Sequence, residues 1–284
     1  SAIICYLYFF IFYQMTETLH IGDNLEYMKS LQSESIDLIY GDILYGTGRD
    51  FGDYKDIKAD RKTVEAFYIP RIIEMHRLLK QTGSIYLQMD TRINHYVRLI
   101  LEDIFGIDNF RNEIAWCYNS QGKTKLKYNP KHDVILFFSK SKKYIFNYNL
   151  IKIECSESTK QRFKKSISEN GTYGVFKKGK FYEYNIEDGS LPLDWFSDIN
   201  FIAHSDFEKE EYYSQKPLSI MNKFILASSK ENDLIADFFA GSGSFGVAGK
   251  RLNRNIILCD INENAIELCK KRLQLENNLF NCNM

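Results

Sequence analysis

One run of residues near the carboxyl end constrains the fold more than any other part of the chain. Asp237-Phe238-Phe239-Ala240-Gly241-Ser242-Gly243-Ser244-Phe245-Gly246 follows an apolar stretch and precedes a helical one ending near Arg251. Asn255-Ile256-Ile257-Leu258-Cys259-Asp260 comes next, a short apolar strand closed by a carboxylate. Strand, tight turn, helix, strand and acid, in that order, form an α/β unit suited to an adenosine-containing cofactor. The glycines let the backbone approach the ligand, and the acid accepts from ribose hydroxyls. By itself Gly241 to Gly246 matches G-x-G-x-x-G, a pattern shared by NAD and FAD sites and by plain structural turns. Far upstream, Asp37-Leu38-Ile39-Tyr40-Gly41-Asp42 is a second apolar strand that ends in a carboxylate.

The rest of the chain fits the same architecture. Apolar runs predict strands over 18–21, 36–40, 84–89, 113–118 and 134–138. Helical spacing predicts helices over 25–31, 64–80, 93–105 and 219–228. Pro70 is expected to kink or restart the second helix, and Gln81-Thr82-Gly83 to break it. Strands alternating with helices predict an α/β protein with a doubly wound, mostly parallel, Rossmann-like sheet. Ligands in such sheets bind beyond the carboxyl ends of the strands. The loops after Ile21, Tyr40, Phe239 and Leu258 would all open there. The stretch from about 144 to 206 breaks the alternation and reads as an insert.

Six cysteines show neither metal-ligand spacing nor a disulfide framework, so no metal is expected and a reducing, cytoplasmic setting is. Residues 1–14 are almost wholly apolar. They are shorter than the roughly 20 residues a bilayer span needs and lack the basic start of a signal peptide. They read as an extension or a misassigned start outside the core fold, with a membrane-associating or partner-binding segment as the alternative, and no membrane partner is expected.

The formal net charge is zero, but the charge is unevenly spread. Residues 120–180 hold fifteen Lys and Arg against four Asp and Glu. Tyr128, Phe137, Tyr144, Phe146, Tyr148 and Phe163 are interleaved with them. Such a mixture suits a surface that tracks phosphates and contacts bases, although a solvated charged face has the same composition. The candidate DNA contacts are Lys123, Lys125, Lys127, Lys142, Lys143, Arg162, Lys164 and Lys165.

Asp42-Ile43-Leu44-Tyr45 is the candidate catalytic segment. The amine of a nucleobase is a poor nucleophile because its lone pair is delocalised into the ring. A site that methylates it needs acceptors aimed at both N–H bonds. It also needs a flat surface for a base swung out of the duplex. The Asp42 carboxylate, the Ile43 carbonyl and the Tyr45 ring meet those needs, with no covalent intermediate. No Pro-Cys dipeptide occurs, which argues against methylation of a cytosine ring carbon.

With these residues in place, the chain resembles the β-class DNA amino-methyltransferases. Asp237 to Gly243 resembles the D-x-F-x-G-x-G loop that holds S-adenosyl-L-methionine (AdoMet). Asp42 to Tyr45 resembles the Asp-Pro-Pro-Tyr tetrapeptide of the adenine enzymes; the cytosine-N4 enzymes more often carry Ser in the first place. The segment containing Asp23-Asn24 resembles the block whose acid contacts the cofactor adenine. Gln215-Lys216-Pro217-Leu218 resembles the block that meets the methionine end, and Lys131 to Lys140 the strand before the target-recognition region. The likeness runs from Met15 to Leu273. It implies a cofactor site of Asp23, Asn24, Asp42, Lys216, Pro217, Asp237, Phe239, Ala240, Gly241, Ser242, Gly243, Asp260 and Asn262. It divides the chain into a catalytic half (15–144), a target-recognition insert (145–205) and an AdoMet-binding half (206–284).

The implied activity is adenine-N6 methylation of double-stranded DNA, of restriction–modification type. A cognate restriction endonuclease and a homodimer are compatible with it. Cytosine-N4 or RNA methylation, a nicotinamide or flavin oxidoreductase, and a DNA-binding relic without catalysis are the alternatives. The relic enters because Ile43-Leu44 replaces the two prolines. Prolines fix φ and stiffen the turn, so a looser loop and a slower enzyme are expected here, with Pro-Pro restoring the rate.

Overall fold

In the computed structural model, the described residues are 15–52, 55–119, 124–163, 173–184, 188–200, 202 and 215–282. The apolar segment 1–14 lies outside them. The first half comprises β1 (Glu17–Ile21), α1 (Asn24–Ser30), β2 (Ile36–Asp42), α2 (Arg61–Leu78), β3 (Leu79–Met89), α3 (Asn94–Phe105), β4 (Phe110–Cys117) and β5 (His132–Ser139). Then come α4 (Glu157–Phe163), β6 (Tyr173–Lys177), β7 (Lys180–Tyr184) and β8 (Trp195–Phe196). The chain finishes with α5 (Leu218–Ser228), β9 (Leu234–Asp237), α6 (Ser244–Arg251), β10 (Asn255–Asp260) and α7 (Glu263–Cys282).

Eight strands form one sheet in the order β1-β10-β9-β2-β3-β5-β4-β8. β1, β10, β9, β2 and β3 are parallel neighbours. β5 runs antiparallel to both β3 and β4. The helix alternation lapses between β4 and β5, and strands joined without a crossover can only return antiparallel. The central strand β2 is buried on both faces, as its unbroken apolar run demands. One core cluster packs α2 and α3 against the sheet through Ile72, Met75, Val97 and Leu101. The other packs α5 and α6 on the opposite face through Met221, Phe224, Val247 and Ala248.

Two local expectations are corrected. Pro70 lies inside α2, which continues past it rather than restarting there. The helix stops at Leu78 and the chain passes straight into β3, where Leu79 pairs with Ile36. The expected breaker, Gln81-Thr82-Gly83, becomes a bulge within β3: pairing jumps from Ile36–Leu79 to Leu38–Ser84. Burial of Leu79 against the core outweighs the local turn signal.

Within the predicted insert, among the described residues, β6 and β7 pair only with each other, whereas β8 joins the main sheet beside β4. Among the described residues no helix is long and apolar enough to cross a membrane.

Candidate active site

Parallel pairing puts the carboxyl ends of β1, β2, β9 and β10 on one side of the sheet. A cavity of about 540 Å³ opens there, walled by Asp23, Asn24, Asp42, Ile43, Tyr45, Lys216, Asp237, Phe239, Ala240, Gly241, Ser242 and Asp260. Five segments separated in sequence thus share one wall. Pro217, Gly243 and Asn262 stand behind it. Pro217 caps α5. Gly243 backs onto Cys269. Asn262 donates its N–H to Asp260 Oδ1 (2.9 Å).

The glycine loop is held from inside. Gly243 takes φ +75°, and a Cβ there would lie 2.6 Å from Cys269 Sγ. Arg272 of α7 donates to the Ser242 carbonyl (2.6 Å), a support that no sequence motif announces. The Phe239 N–H donates to Asp237 Oδ1 (2.9 Å) and the Gly241 N–H to Asp260 Oδ2 (2.8 Å). The N–H groups of Ala240 and Gly243 donate to the carbonyls of Cys259 and Ala240. A pyrophosphate-binding loop aims such N–H groups at the ligand. Here four are already committed, which disfavours the nicotinamide and flavin alternatives. Burial raises the Asp260 carboxyl above its ordinary range and pushes Asp237 well above it.

At the other rim, Asp23 caps α1 by accepting from the N–H groups of Leu25 and Glu26. Its second oxygen pairs with Arg71 (2.7 Å). Arg71 also donates to Asn24 Oδ1 (2.7 Å), and the Asn24 amide reaches the Phe238 carbonyl (2.8 Å). Sequence reasoning missed Arg71, because nothing in helical spacing reveals that an arginine beside Pro70 faces a loop near the amino terminus.

Asp42 ends β2. Its Oδ2 accepts from Lys216 (2.5 Å) and its Oδ1 from the Tyr45 phenol (2.9 Å). Burial lifts the Asp42 carboxyl above its usual range, and the Lys216 ammonium opposes the lift. Burial and the neighbouring Asp42 and Asp133 push the Tyr45 phenol far up, so it is a neutral donor. The Lys216 ammonium lies 5.4 Å from the centre of the Tyr45 ring.

The expected looseness of the tetrapeptide is not what the structure contains. The Ile43 N–H donates to the Gln88 carbonyl (3.0 Å), a bond no proline can make. Tyr68 donates to the Leu44 carbonyl (3.1 Å). Asp56, itself buried, accepts from the N–H groups of Gly46 (3.1 Å) and Thr47 (2.7 Å). Tertiary hydrogen bonds supply stiffness that the missing ring constraint would otherwise provide.

The candidate DNA contacts do not form one patch. Lys125 and Lys127 lie on the β4–β5 connection, at the same end of the sheet as Asp42, beside the fully exposed Tyr128. Lys142 and Lys143 follow the carboxyl end of β5. Because β5 is antiparallel to β3, that places them at the opposite end of the sheet, where Lys142 pairs with Asp108 (3.0 Å). Arg162 falls in α4, its side chain outside the described residues, as are Lys123, Lys164 and Lys165.

Comparison with known proteins agrees with this geometry. A family model described as DNA methylase, covering N6 and N4 enzymes, matches residues 36–271. The type II methyltransferase M.HpaI of Haemophilus parainfluenzae is 32% identical over 268 residues, covering 94% of this chain and 77% of that one. The DNA adenine methyltransferase YhdJ of Escherichia coli is 29% identical over 262 residues, covering 91% and 83%. Among solved structures, the cytosine-N4-specific PvuII DNA methyltransferase superposes with a TM-score of 0.64 at 15% identity, over 90% of this chain and 86% of that one. The M1.HpyAVI–SAM complex gives 0.56 at 21%, over 90% and 100%. At such identities these two establish the fold alone. The family match spans β2 to α7, and with it both the Asp42 turn and the glycine loop, so the chain belongs to the DNA methylase family.

Proposed function

We propose that this protein is a site-specific adenine-N6 methyltransferase of double-stranded DNA that uses AdoMet. The observation that carries the reading is the Asp42 turn and the glycine loop facing one cavity, with an aspartate rather than a serine leading the turn. The adenine activity named for the Escherichia coli relative supports the choice of base.

The cavity fits the cofactor by its chemistry. Its glycine loop offers backbone closeness with four of its N–H groups already satisfied, which suits a nucleoside without phosphates. Asp260 and Asp23 line the cavity and would take the ribose and the adenine, each still holding unused lone pairs. Lys216 pairs with Asp42, and Lys216 and Pro217 would hold the methionine end. AdoMet, when bound, supplies an electrophilic methyl group. The protein's own part is to hold the base. The target adenine stacks on Tyr45 after leaving the duplex. Asp42 and the Ile43 carbonyl accept its two amine hydrogens and draw the nitrogen lone pair towards the methyl. Lys125 and Lys127, with Tyr128 between the bases, suit the flanking phosphates.

The deciding experiment is transfer of labelled methyl from AdoMet to unmethylated genomic DNA, followed by identification of the modified nucleoside. N6-methyladenine supports the proposal. N4-methylcytosine replaces it with the sister activity, and DNA binding without transfer replaces it with the relic.

Two further results are expected. Lys216→Met removes the cation that keeps Asp42 ionised, so the acid limb of the methyl-transfer pH profile moves to higher pH. An unmoved limb counts against Asp42 as the acceptor. The paired change Ile43→Pro with Leu44→Pro strips a donor from the buried Gln88 carbonyl, at a cost of about 1–3 kcal/mol. For a domain of this size the melting temperature falls by about 2–12 °C, and the transfer rate does not rise. A higher rate restores the looser turn inferred from sequence.

A further inference from the structure

Asp133 has so far appeared only as a charge beside Tyr45, yet it lies at the centre of the site's polar network. It sits on β5, 4% exposed. Its Oδ2 accepts from the Tyr45 phenol (2.7 Å) and the Gln88 amide (2.9 Å), and its Oδ1 accepts from the Tyr118 phenol (2.8 Å). All three donors are neutral. Gln88 is locked in turn, because its Oε1 accepts from the Tyr40 phenol (2.8 Å). A carboxylate kept this deep costs free energy unless its acceptors are filled. Here they are filled by groups from β3, from the segment after β4 and from the catalytic turn.

The Tyr45 phenol is shared. It reaches Asp133 Oδ2 at 2.7 Å and Asp42 Oδ1 at 2.9 Å, but it has a single proton to give. At Asp42 Oδ1 a target amine has to share the oxygen with the Tyr45 phenol, whose proton can instead be given to Asp133. Were Asp42 the only acceptor, releasing it would leave a buried phenol unsatisfied and its ring free to turn. The second acceptor removes that conflict. We propose that Asp133 is a positioning residue: it keeps Tyr45 anchored by the phenol, so the ring holds its place while Asp42 turns to the amine of the incoming base. This rests on the proposed function, since it takes Asp42 as the amine acceptor and Tyr45 as the stacking surface.

A double-mutant cycle tests it. Asp133→Asn keeps the shape, and Tyr45→Phe keeps the ring while removing the shared proton. Each is expected to slow single-turnover methyl transfer to unmethylated genomic DNA about 10- to 30-fold. The affinity for AdoMet, read by calorimetry, stays within about twofold of the unmodified protein. If Asp133 acts through Tyr45, the double variant is no more than about threefold slower than the slower single. Tyr118→Phe, which removes a different bond to Asp133, costs less than about threefold.

Multiplying effects in the double variant, an unimpaired Asp133→Asn, or a Tyr118→Phe loss as large as the Tyr45→Phe loss would each overturn the proposal. If the unmodified protein transfers no methyl to either base, it is the proposed function that fails. The aim of Tyr45 is then read from a crystal structure of Asp133→Asn: a phenol swung away from Asp42 upholds the anchoring role, and an unmoved phenol overturns it.

Discussion

Asp42→Ala is expected to lower methyl transfer at least about 10³-fold while the protein still binds AdoMet. The magnitude follows from removing a preorganised acceptor from a site sheltered from water, where one such group is worth about 10²–10³ in rate. Alanine does more than remove that group. Lys216, whose side chain is 12% exposed, loses its ion pair with Asp42. The Tyr45 phenol keeps only Asp133. Asp42→Asn separates the two consequences. It preserves the shape and one acceptor oxygen, so it should bind AdoMet like the unmodified protein and still lose about 10²-fold in rate. Labelled-methyl transfer and calorimetric titration of AdoMet, run side by side, measure both quantities. Asp42→Ala with near-normal transfer would remove Asp42 from the chemistry altogether.

Gly243→Ala is expected to lower the melting temperature by about 4–20 °C and to weaken AdoMet binding. Two penalties act on the same atom. The backbone at φ +75° is left-handed, which costs an alanine about 1–2 kcal/mol. The added Cβ would also sit 2.6 Å from Cys269 Sγ, so α7 or the loop must move, and overpacking of this kind costs about 1–3 kcal/mol. At roughly 2–4 °C per kcal/mol for a domain of this size, even the lower part of the combined range is visible in a thermal melt. The loop cannot yield towards the cavity without breaking the Arg272 bond to the Ser242 carbonyl. Gly243→Ala with Cys269→Gly tests the mechanism, because removing the sulfur should relieve the steric part and leave the left-handed part. An unaltered melt for Gly243→Ala alone would mean that the loop is not packed as described.

Much of the site was legible before any coordinates. A strand that ends in an acid and a glycine-rich turn leaves a local trace, because the period-two apolar run and the residues that allow tight turns are neighbours in sequence. Asp42, Asp237, Gly241, Gly243 and Asp260 are all of this kind. Asp133 stood in a recognisable strand but without a role, since its function depends on which way the side chain faces and on what ends β2. Arg71 and Arg272 left no trace at all. Each acts from the middle of a helix on a loop that the chain reaches only far away in sequence. The lysines show the reverse error. Lys127 and Lys142 are close in sequence and alike in composition, but the antiparallel return of β5 puts them at opposite ends of the sheet.

The sequence by itself determined the fold class, the order of the motifs and the chemical character of the two carboxylate-ended strands. These depend on periodicity, turn residues and the kind of ligand a glycine loop admits, which are local properties. Only the tertiary structure decided how stiff the Asp42 turn is, which acceptors are shared and where the basic residues fall. Ile43 lacks the ring of a proline, and from sequence that reads as slack. In the fold its N–H completes a bond to β3, Tyr68 secures the next carbonyl and Asp56 secures the two residues after Tyr45. Restriction of a turn can come from a residue's own covalent geometry or from hydrogen bonds made by distant residues, and only the first is written in the residue itself.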